Sequence, residues 1–423
     1  MQIKKIALLF ALLASARVFA QSGEEPFVPE AGPDAAAHSA VISSIEIIGL
    51  KRTRPHIARY PLERFLGVAA SELDGNAVKA AVIDTGILEP LEVEVIPVDG
   101  ENAVLRVTVN EKWSIIPFPI FSAQSGGYSG GLFLADANAF GRRDQAAVGG
   151  FYGSGGWSLA AFYNATPDRK VPGWTTAFSY RQDERKDLNS KGETLRRFKN
   201  EKLDTRAGIY YSFSEYLIAS LDFSYGQVRL LKDADPLARP EDGARYLELA
   251  PRLGLRTSKW DGYLLSVKSA SLSYKWHWGL QGDSFHQVEF DGVFQHSLVP
   301  GFRFNLRGAV LYSPRAPVLF ESGPQVSGTG LLPAMYSAQS YGGISAGFEK
   351  YLFKFKYGTI SALAGWQTVL ADGPLSGRES GYGPAGGLSL YLSRLALPGL
   401  SFALGYNIKT RLPQFSFNMG MSL

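Results

Sequence analysis

The last nine residues of the chain constrain its fold more than any other stretch. Large apolar side chains occupy positions 415, 417, 419, 421 and 423, and small or polar side chains alternate with them. Because successive side chains of a β-strand point to opposite faces, this pattern predicts a strand with one wholly apolar face. Alternating runs at residues 386–392 and 400–408 precede it. Three amphipathic strands in series at a C-terminus are typical of a transmembrane β-barrel, and a soluble β-sandwich ending in a hairpin is the alternative.

The N-terminus disfavours the soluble alternative, because it resembles an export signal. Lys4 and Lys5 precede a short apolar run at residues 6–13, and Ala20 ends a plausible cleavage site. We therefore expect residues 1–20 to be a signal peptide. Residues 21–38 are rich in Ala, Glu, Gly and Pro, which predicts a flexible linker. Beyond residue 20, no stretch approaches the 18 apolar residues that a membrane helix needs.

Composition narrows the class of function. The 423 residues include 46 Gly, 20 Tyr and 26 Phe, which suits a strand-rich protein with many turns and an aromatic girdle. There are no cysteines, which excludes thiol catalysis, Cys-ligated zinc and disulfides. The formal net charge is +4. Loss of the signal peptide would leave about +1, which argues against a nucleic-acid partner.

Residues 39–113 predict a small α+β domain. A β-rich run at 41–48 is followed by two short helical segments, at 55–65 and 71–83. Two alternating strands come next, at 91–96 and 104–109, with an Asp-Gly turn between them. The predicted order is therefore β-α-α-β-β.

This domain resembles a POTRA domain. The resemblance rests on residues 45–53 (IEIIGLKRT), 86–88 (GIL) and 107–113 (VTVNEKW). It implies a module that binds unfolded or extended clients in the periplasm. The physical route would be an exposed sheet edge that accepts a guest strand, for which we single out Leu91, Val93 and Val95. The alternative is a lone domain that only plugs or orients the barrel mouth.

Residues 114–423 predict the barrel itself. We count 15 alternating segments, the first around 128–136, but a single-chain bacterial barrel has an even number of strands, so we expect about 16. Residues 115–122 contain two prolines and are interpreted as a stiff connection out of the small domain. Residues 183–202 are highly charged and are interpreted as a loop, since they lack an apolar period.

Two further segments extend the family resemblance to the barrel. Residues 138–144 (NAFGRRD) look like the asparagine–phenylalanine–glycine turn after the first strand of BamA-like barrels, and residues 383–390 and the terminal strand fit the same pattern. The mature chain thus resembles the POTRA-plus-barrel outer-membrane superfamily (the bacterial surface antigen family), which contains BamA, TamA and the two-partner secretion transporters. The resemblance implies an outer-membrane location, with the small domain in the periplasm. It also implies clients that are unfolded or extended envelope polypeptides, contact with outer-membrane lipid and periplasmic accessory proteins, and no cofactor.

One motif of the superfamily is altered. A loop that folds back into the barrel usually carries an apolar–Arg–Gly–aromatic sequence, and its Arg meets an Asp on a later strand. Here Val326 and Gly328 fit, but Ser327 stands at the Arg position and Leu363 at the Asp position. Loss of both partners together is physically coherent, since one buried charge alone is costly. The loop at 313–340 either sits in the lumen through other contacts or is mobile.

No constellation of catalytic residues is visible. None of the five histidines has metal-ligand spacing with another, so we expect no enzyme, no metal and no cofactor. The sequence instead favours assembly or insertion of outer-membrane proteins, or polypeptide translocation. A weak seam would open between the first barrel strand and the last, which contributes Phe415, Phe417, Met419 and Leu423. The alternative is a passive pore or structural barrel.

Overall fold

We describe the protein from a computed structural model. It describes residues 40–423 apart from residues 84, 125–126, 166–170, 190, 215, 234–242, 262–263, 321–337, 356–357, 374–376, 393–399 and 420–423. The predicted signal peptide and linker lie outside the described residues. Within the described part of the chain, no helix is long and apolar enough to cross a membrane.

The N-terminal domain has the predicted order of elements. Its strands and helices are β1 Val41–Ile48, α1 Pro55–Arg59, α2 Gly75–Ile83, β2 Leu88–Pro97 and β3 Asn102–Glu111. The first helical segment changes to a 3-10 helix at Tyr60–Phe65, where Pro61 removes a helical hydrogen-bond donor. The second begins later than predicted, because Ala70–Glu72 forms a separate 3-10 turn.

The three strands form one sheet in the order β1-β3-β2. β1 runs parallel to β3, and β2 runs antiparallel to it. One face of the sheet packs on the helices, and fully buried aliphatic side chains such as Leu105, Val107 and Val78 form the core. Each such side chain contributes about 1.5–3 kcal/mol when it is removed from water. The core therefore holds the two edge strands, β1 and β2, in fixed positions.

In the part of the chain that the structure describes, sixteen strands close the barrel, so the predicted all-β barrel of about 16 strands with one small α+β domain is confirmed. The strands are β4 Ile115–Gln124, β5 Gly127–Ala139, β6 Asp144–Gly153, β7 Gly156–Ala165, β8 Gly173–Leu188, β9 Thr194–Ser212, β10 Leu217–Asp233, β11 Gly243–Asp261, β12 Leu264–Gln281, β13 Phe285–Val299, β14 Phe302–Tyr312, β15 Ser340–Phe355, β16 Gly358–Gly373, β17 Gly377–Leu392, β18 Leu400–Asn407 and β19 Leu412–Met419.

The strand missing from the sequence-based count is β4. Its residues were predicted to form a stiff connection, yet they pair with β5 along their whole length and with β19 at one end. Proline is tolerated in a strand when its own nitrogen, which carries no hydrogen, faces the strand's edge. This is why Pro117 and Pro119 do not prevent β4 from forming. The first barrel strand is therefore Ile115–Gln124 and not the segment around residues 128–136.

Side chains alternate between the outside of the barrel and its lumen. Outward positions carry exposed apolar groups, as at Leu134, Val148 and Leu370, whereas inward positions such as Glu248 and Gln295 are polar and buried. This is the alternation expected of a barrel with an apolar exterior. We call the end of the barrel next to the N-terminal domain the proximal end, and the other end the distal end.

The charged segment at residues 183–202 is a hairpin and not the predicted loop. β8 and β9 remain paired from Asp183–Asn200 to Leu188–Thr194. Inward-facing charges satisfy one another there, since Arg185 and Arg196 both donate to the buried carboxylate of Asp187. A backbone ladder needs no apolar period once it extends past the hydrocarbon, so the apolar pattern could not reveal these strand ends.

Candidate functional site

The first candidate site is the outer edge of the N-terminal sheet. β2 pairs with β3 on one side, and no described strand lies on its other side. The ladder shifts register between Pro90 and Glu92, so Leu91 bulges out and is 61% exposed. Val93 and Val95 pack against the core of the domain. Client binding at Leu91, Val93 and Val95 stays a prediction, in which Val93 and Val95 offer backbone groups rather than side chains.

A junction joins the N-terminal domain to the barrel. The loop after β1, at residues 51–54, contacts the proximal turn at residues 138–144. The Arg52 guanidinium donates to Ser114 Oγ at 2.9 Å and to the Asp136 carboxylate at 3.0 Å. The Glu111 carboxylate accepts the backbone N–H groups of Arg52 and Thr53 at 2.8 and 2.7 Å. The loop is thus bonded on one side to β3 of its own domain and on the other side to the start of the barrel.

The proximal turn is shaped to receive this loop. Gly141 has a φ of +68°, and a Cβ atom on it would lie 2.0 Å from the Arg52 carbonyl oxygen, so only glycine fits. The Gly141 carbonyl accepts the Arg54 N–H at 2.8 Å. The buried Asn138 amide donates to Thr53 Oγ1 at 2.9 Å, and its oxygen accepts the Arg143 N–H at 2.8 Å. The motifs at 45–53 and 138–144, noted separately in the sequence, meet here.

Hydrogen bonding at the junction changes the acidity of Glu111. Partial burial would raise the pKa of this carboxyl, but the backbone N–H groups of residues 51–53 and the Thr53 hydroxyl outweigh burial, so its pKa lies below the usual value. The carboxylate therefore stays charged as an acceptor for the loop at neutral pH.

The second candidate site is the lumen, whose wall has two sides. On β4 to β7, inward apolar residues cluster, and the rings of Phe133 and Phe151 lie 5.1 Å apart. Each ring packs over a glycine of the neighbouring strand. Phe133 is the cross-strand partner of Gly149, and Phe151 is the partner of Gly131. On β9 to β13 the inward side chains are charged instead: Arg206, Asp222, Glu248, Arg252, Lys275 and Glu289.

A buried ion pair fixes the lumen wall near the proximal end. Arg303 on β14 donates to Glu349 on β15 at 2.8 and 2.6 Å. The Tyr391 hydroxyl donates to the same carboxylate at 2.7 Å, and the Ser361 hydroxyl also donates to it. This network ties four consecutive strands, β14 to β17. Sequence reasoning missed it, although a charged residue at an inward position of a strand is the signal that could have found it.

Leu363 lies directly opposite Glu349 in the paired register of β15 and β16. A lumenal carboxylate is thus present beside Leu363, on the neighbouring strand, and Arg303 donates to it. Val326, Ser327 and Gly328 lie outside the described residues, so the predicted loop motif stays a prediction.

The described start of the loop after β14 enters the distal mouth of the lumen. Residues Val318–Phe320 form a 3-10 turn that packs on inward-facing Phe198, Val228 and Tyr246. The Phe320 ring lies 4.6 Å from the Tyr246 ring and 5.0 Å from the Phe285 ring. The Arg185 guanidinium donates to the Val318 carbonyl at 3.2 Å. Aromatic packing and one hydrogen bond thus hold this part of the loop in the lumen.

The third candidate site is the seam, where β19 meets β4. In the described residues it has four residue pairs, from Ser416–Gln124 to Met419–Phe121, whereas β4 and β5 share ten. The Phe417 and Phe121 rings touch across it at 5.8 Å. Phe415 belongs to the same strand and faces outward, 42% exposed. Leu423 lies outside the described residues, and a role for these four residues in opening stays a prediction.

Comparisons with known proteins bear on the fold. No protein-family model matches the chain, and no curated protein sequence matches it. Among solved structures, it is similar to BamA from Haemophilus ducreyi lacking POTRA domains 1–3, with a TM-score of 0.58 and 14% identity over 90% of this chain and 84% of that chain. CdiB from Acinetobacter baumannii gives a TM-score of 0.62 and 11% identity over 90% and 74%. CdiB from Escherichia coli gives 0.56 and 13% over 92% and 93%.

These matches confirm, at the level of the fold, the resemblance to the POTRA-plus-barrel superfamily. At 11–14% identity they establish architecture only.

Proposed function

We propose that this protein is an outer-membrane factor that inserts proteins into the membrane or transports polypeptides across it. One observation carries the proposal. A small domain, whose strand β2 has no described partner on its outer side, is bonded to the first hairpin of a 16-stranded barrel that is closed by its first and last strands. Strand edges of this kind are templates for another chain, and a pore has no need of either feature.

The exterior of the barrel supports a location in the outer membrane. Apolar side chains cover its outside, and the rings of Tyr163 and Trp174 lie 4.8 Å apart near its proximal end, as in an interfacial aromatic girdle. The proposed orientation places the proximal end and the POTRA-like domain in the periplasm.

The proposed mechanism uses three steps and no enzymatic reaction or cofactor. The edge of β2 captures an unfolded or extended envelope polypeptide by backbone hydrogen bonds. The junction keeps that edge beneath the barrel. The seam, or the lumen beside it, then receives the chain, and the apolar wall of β4 to β7 offers contact to the apolar face of an extended segment. Energy comes from client folding and from transfer into the membrane or across it.

Depletion of the protein, followed by quantitative proteomics of the outer membrane, tests this proposal. We expect the abundance of other barrel proteins, or of one secreted polypeptide, to fall at least severalfold, and the same data would identify the client. An unchanged protein composition after complete depletion would contradict the proposal.

A passive pore is the second candidate function, and the charged wall of the lumen favours it. Arg206, Asp222, Arg252 and Lys275 line one side of the interior, as in a water-filled channel. A pore would show steady conductance in planar bilayers, and its depletion would leave other envelope proteins unchanged.

A further inference from the structure

Five prolines lie within the described barrel strands: Pro117, Pro119, Pro251, Pro384 and Pro413. Proline has no N–H group, so each removes one donor from the backbone ladder. Residues of an antiparallel strand direct their backbone groups alternately to the two neighbouring strands. The effect of each proline therefore depends on which neighbour its nitrogen faces.

A backbone hydrogen bond at the start of β4 shows which neighbouring strand each residue of β4 faces. The Ala137 N–H donates to the Ser114 carbonyl at 2.9 Å, in the same register that pairs β4 with β5. Even-numbered residues of β4 consequently bond to β5, and odd-numbered residues face β19. The nitrogens of Pro117 and Pro119 thus both point to the seam.

The same reasoning applies to the other three prolines. The bond from Ile408 N–H to the Tyr382 carbonyl, at 3.0 Å, fixes β17 and β18, so that Pro384 faces β18 and Pro413 faces the seam. The bond from Arg256 N–H to the Tyr216 carbonyl, at 2.8 Å, fixes β10 and β11, so that Pro251 faces β12.

The observed ladders agree with these directions. The register between β11 and β12 passes from Leu249 to Arg252 and omits Pro251, and the ladder between β17 and β18 begins at Ala385, immediately after Pro384. By contrast, Pro117 and Pro119 keep their partners in β5, and Pro413 keeps its partner in β18. Pro251 and Pro384 thus each interrupt the ladder that they face and spare the other one. Three of the five face the seam.

We propose that Pro117 and Pro119 prevent a β-strand from adding to the proximal half of β4, so that the client is a polypeptide passed through the barrel rather than a strand built onto its seam. This inference rests on the proposed function. Of the five seam-facing residues of β4, at positions 115, 117, 119, 121 and 123, two have no N–H to give. A client strand paired there would leave its carbonyl groups without donors inside a membrane, where no water replaces them.

A peptide probe tests the edge directly on the purified full-length protein. Two synthetic probes copy residues 412–423. One carries Cys in place of Phe417, the residue that pairs with Ala123, and the other carries Gly-Cys added after Leu423, which extends the same register to Ile115. Ile115→Cys reports strand addition at the proximal half of β4, and Ala123→Cys reports addition at the distal half. The natural chain has no cysteine, so each probe site is unique.

β19 already pairs at Ala123, so disulfide formation with Ala123→Cys reports only whether a probe can displace β19. We expect little disulfide formation with Ile115→Cys while the prolines are present. Adding Pro117→Val and Pro119→Val should raise the Ile115→Cys yield about tenfold, because the two donors return. Pro251→Val is the matched control and should change neither yield, and heat-dependent gel mobility checks that each variant is folded. Efficient disulfide formation at Ile115→Cys with the prolines present, or no gain in the double variant, would overturn the inference.

A second measurement tests the client class and separates this inference from the proposed function. A second copy of residues 21–423, unfolded in urea, is diluted into lipid vesicles that contain the folded protein. We expect its folding rate to stay within about twofold of the rate in empty vesicles. Clear acceleration would overturn the inference and leave the proposed function standing, whereas an unchanged proteome after depletion would overturn the proposed function and leave the peptide result valid.

Discussion

At the scale of single residues, the junction depends more on the backbone conformation of Gly141 than on the ion pair between Arg52 and Asp136. Arg52 and Asp136 have side chains that are 46% and 19% exposed, and a pair of this kind contributes at most about 1 kcal/mol. Asn138 is buried, with both its amide groups bonded, so its loss would leave partners unsatisfied. Gly141 combines positive φ with close contact to Arg52, and no other residue type meets both demands.

Gly141→Ala should therefore undock the N-terminal domain. Strain at this position costs about 2 kcal/mol or more, equivalent to roughly 30-fold in the docking equilibrium. Spin labels at Ile83→Cys and Phe213→Cys, both exposed positions, would measure the distance between domain and barrel. We expect one narrow distance in the natural chain and a broad distribution in Gly141→Ala. Gly75→Ala, where a Cβ meets nothing within 4 Å, is the control, and a narrow distance in both variants would refute this role of Gly141.

At the scale of elements, patterns within one strand were predictable and relations between strands were not. Alternation located the terminal strand and the strands before it, because an apolar exterior imposes a period of two. It failed at β4, where two prolines resembled a connection, and at residues 183–202, where charged side chains pair with each other and leave no apolar period. The bond from Arg303 to Glu349 and the contact of Arg52 with Asp136 join residues 46 and 84 positions apart, which no local pattern encodes.

The 3-10 turn Val318–Phe320 is the element that limits access to the distal mouth. Phe320→Ala removes the ring that packs on Tyr246 and Phe285, so we expect single-channel conductance in planar bilayers to rise severalfold. Phe213→Ala changes an exposed ring at the proximal end and serves as the control. If the conductance of Phe320→Ala is no higher than that of the natural chain and of this control, the turn does not restrict the lumen.

At the scale of the whole molecule, three features act at different places. The junction holds an open sheet edge at the proximal end, the 3-10 turn occupies the distal mouth, and the seam is the line of the wall with the fewest described pairs. The Arg303–Glu349 network braces β14 to β17, which are separated from the seam by β18 and β19. We expect the wall to open at β4 and β19 so that a client can pass through the barrel, while the braced strands β14 to β17 stay together.

The most direct test is to lock that seam. Ala123 and Phe417 are paired across it, at the spacing that antiparallel partners and disulfides share, so Ala123→Cys with Phe417→Cys should form a bond on oxidation. Leu134→Cys with Val148→Cys, paired outward positions of β5 and β6, is the matched control. If the seam must open, the oxidised seam pair reproduces the proteome change seen on depletion, reduction reverses it, and the control pair has no effect. If the protein with a fully oxidised seam supports normal envelope composition, the seam does not open in function and the central claim is wrong.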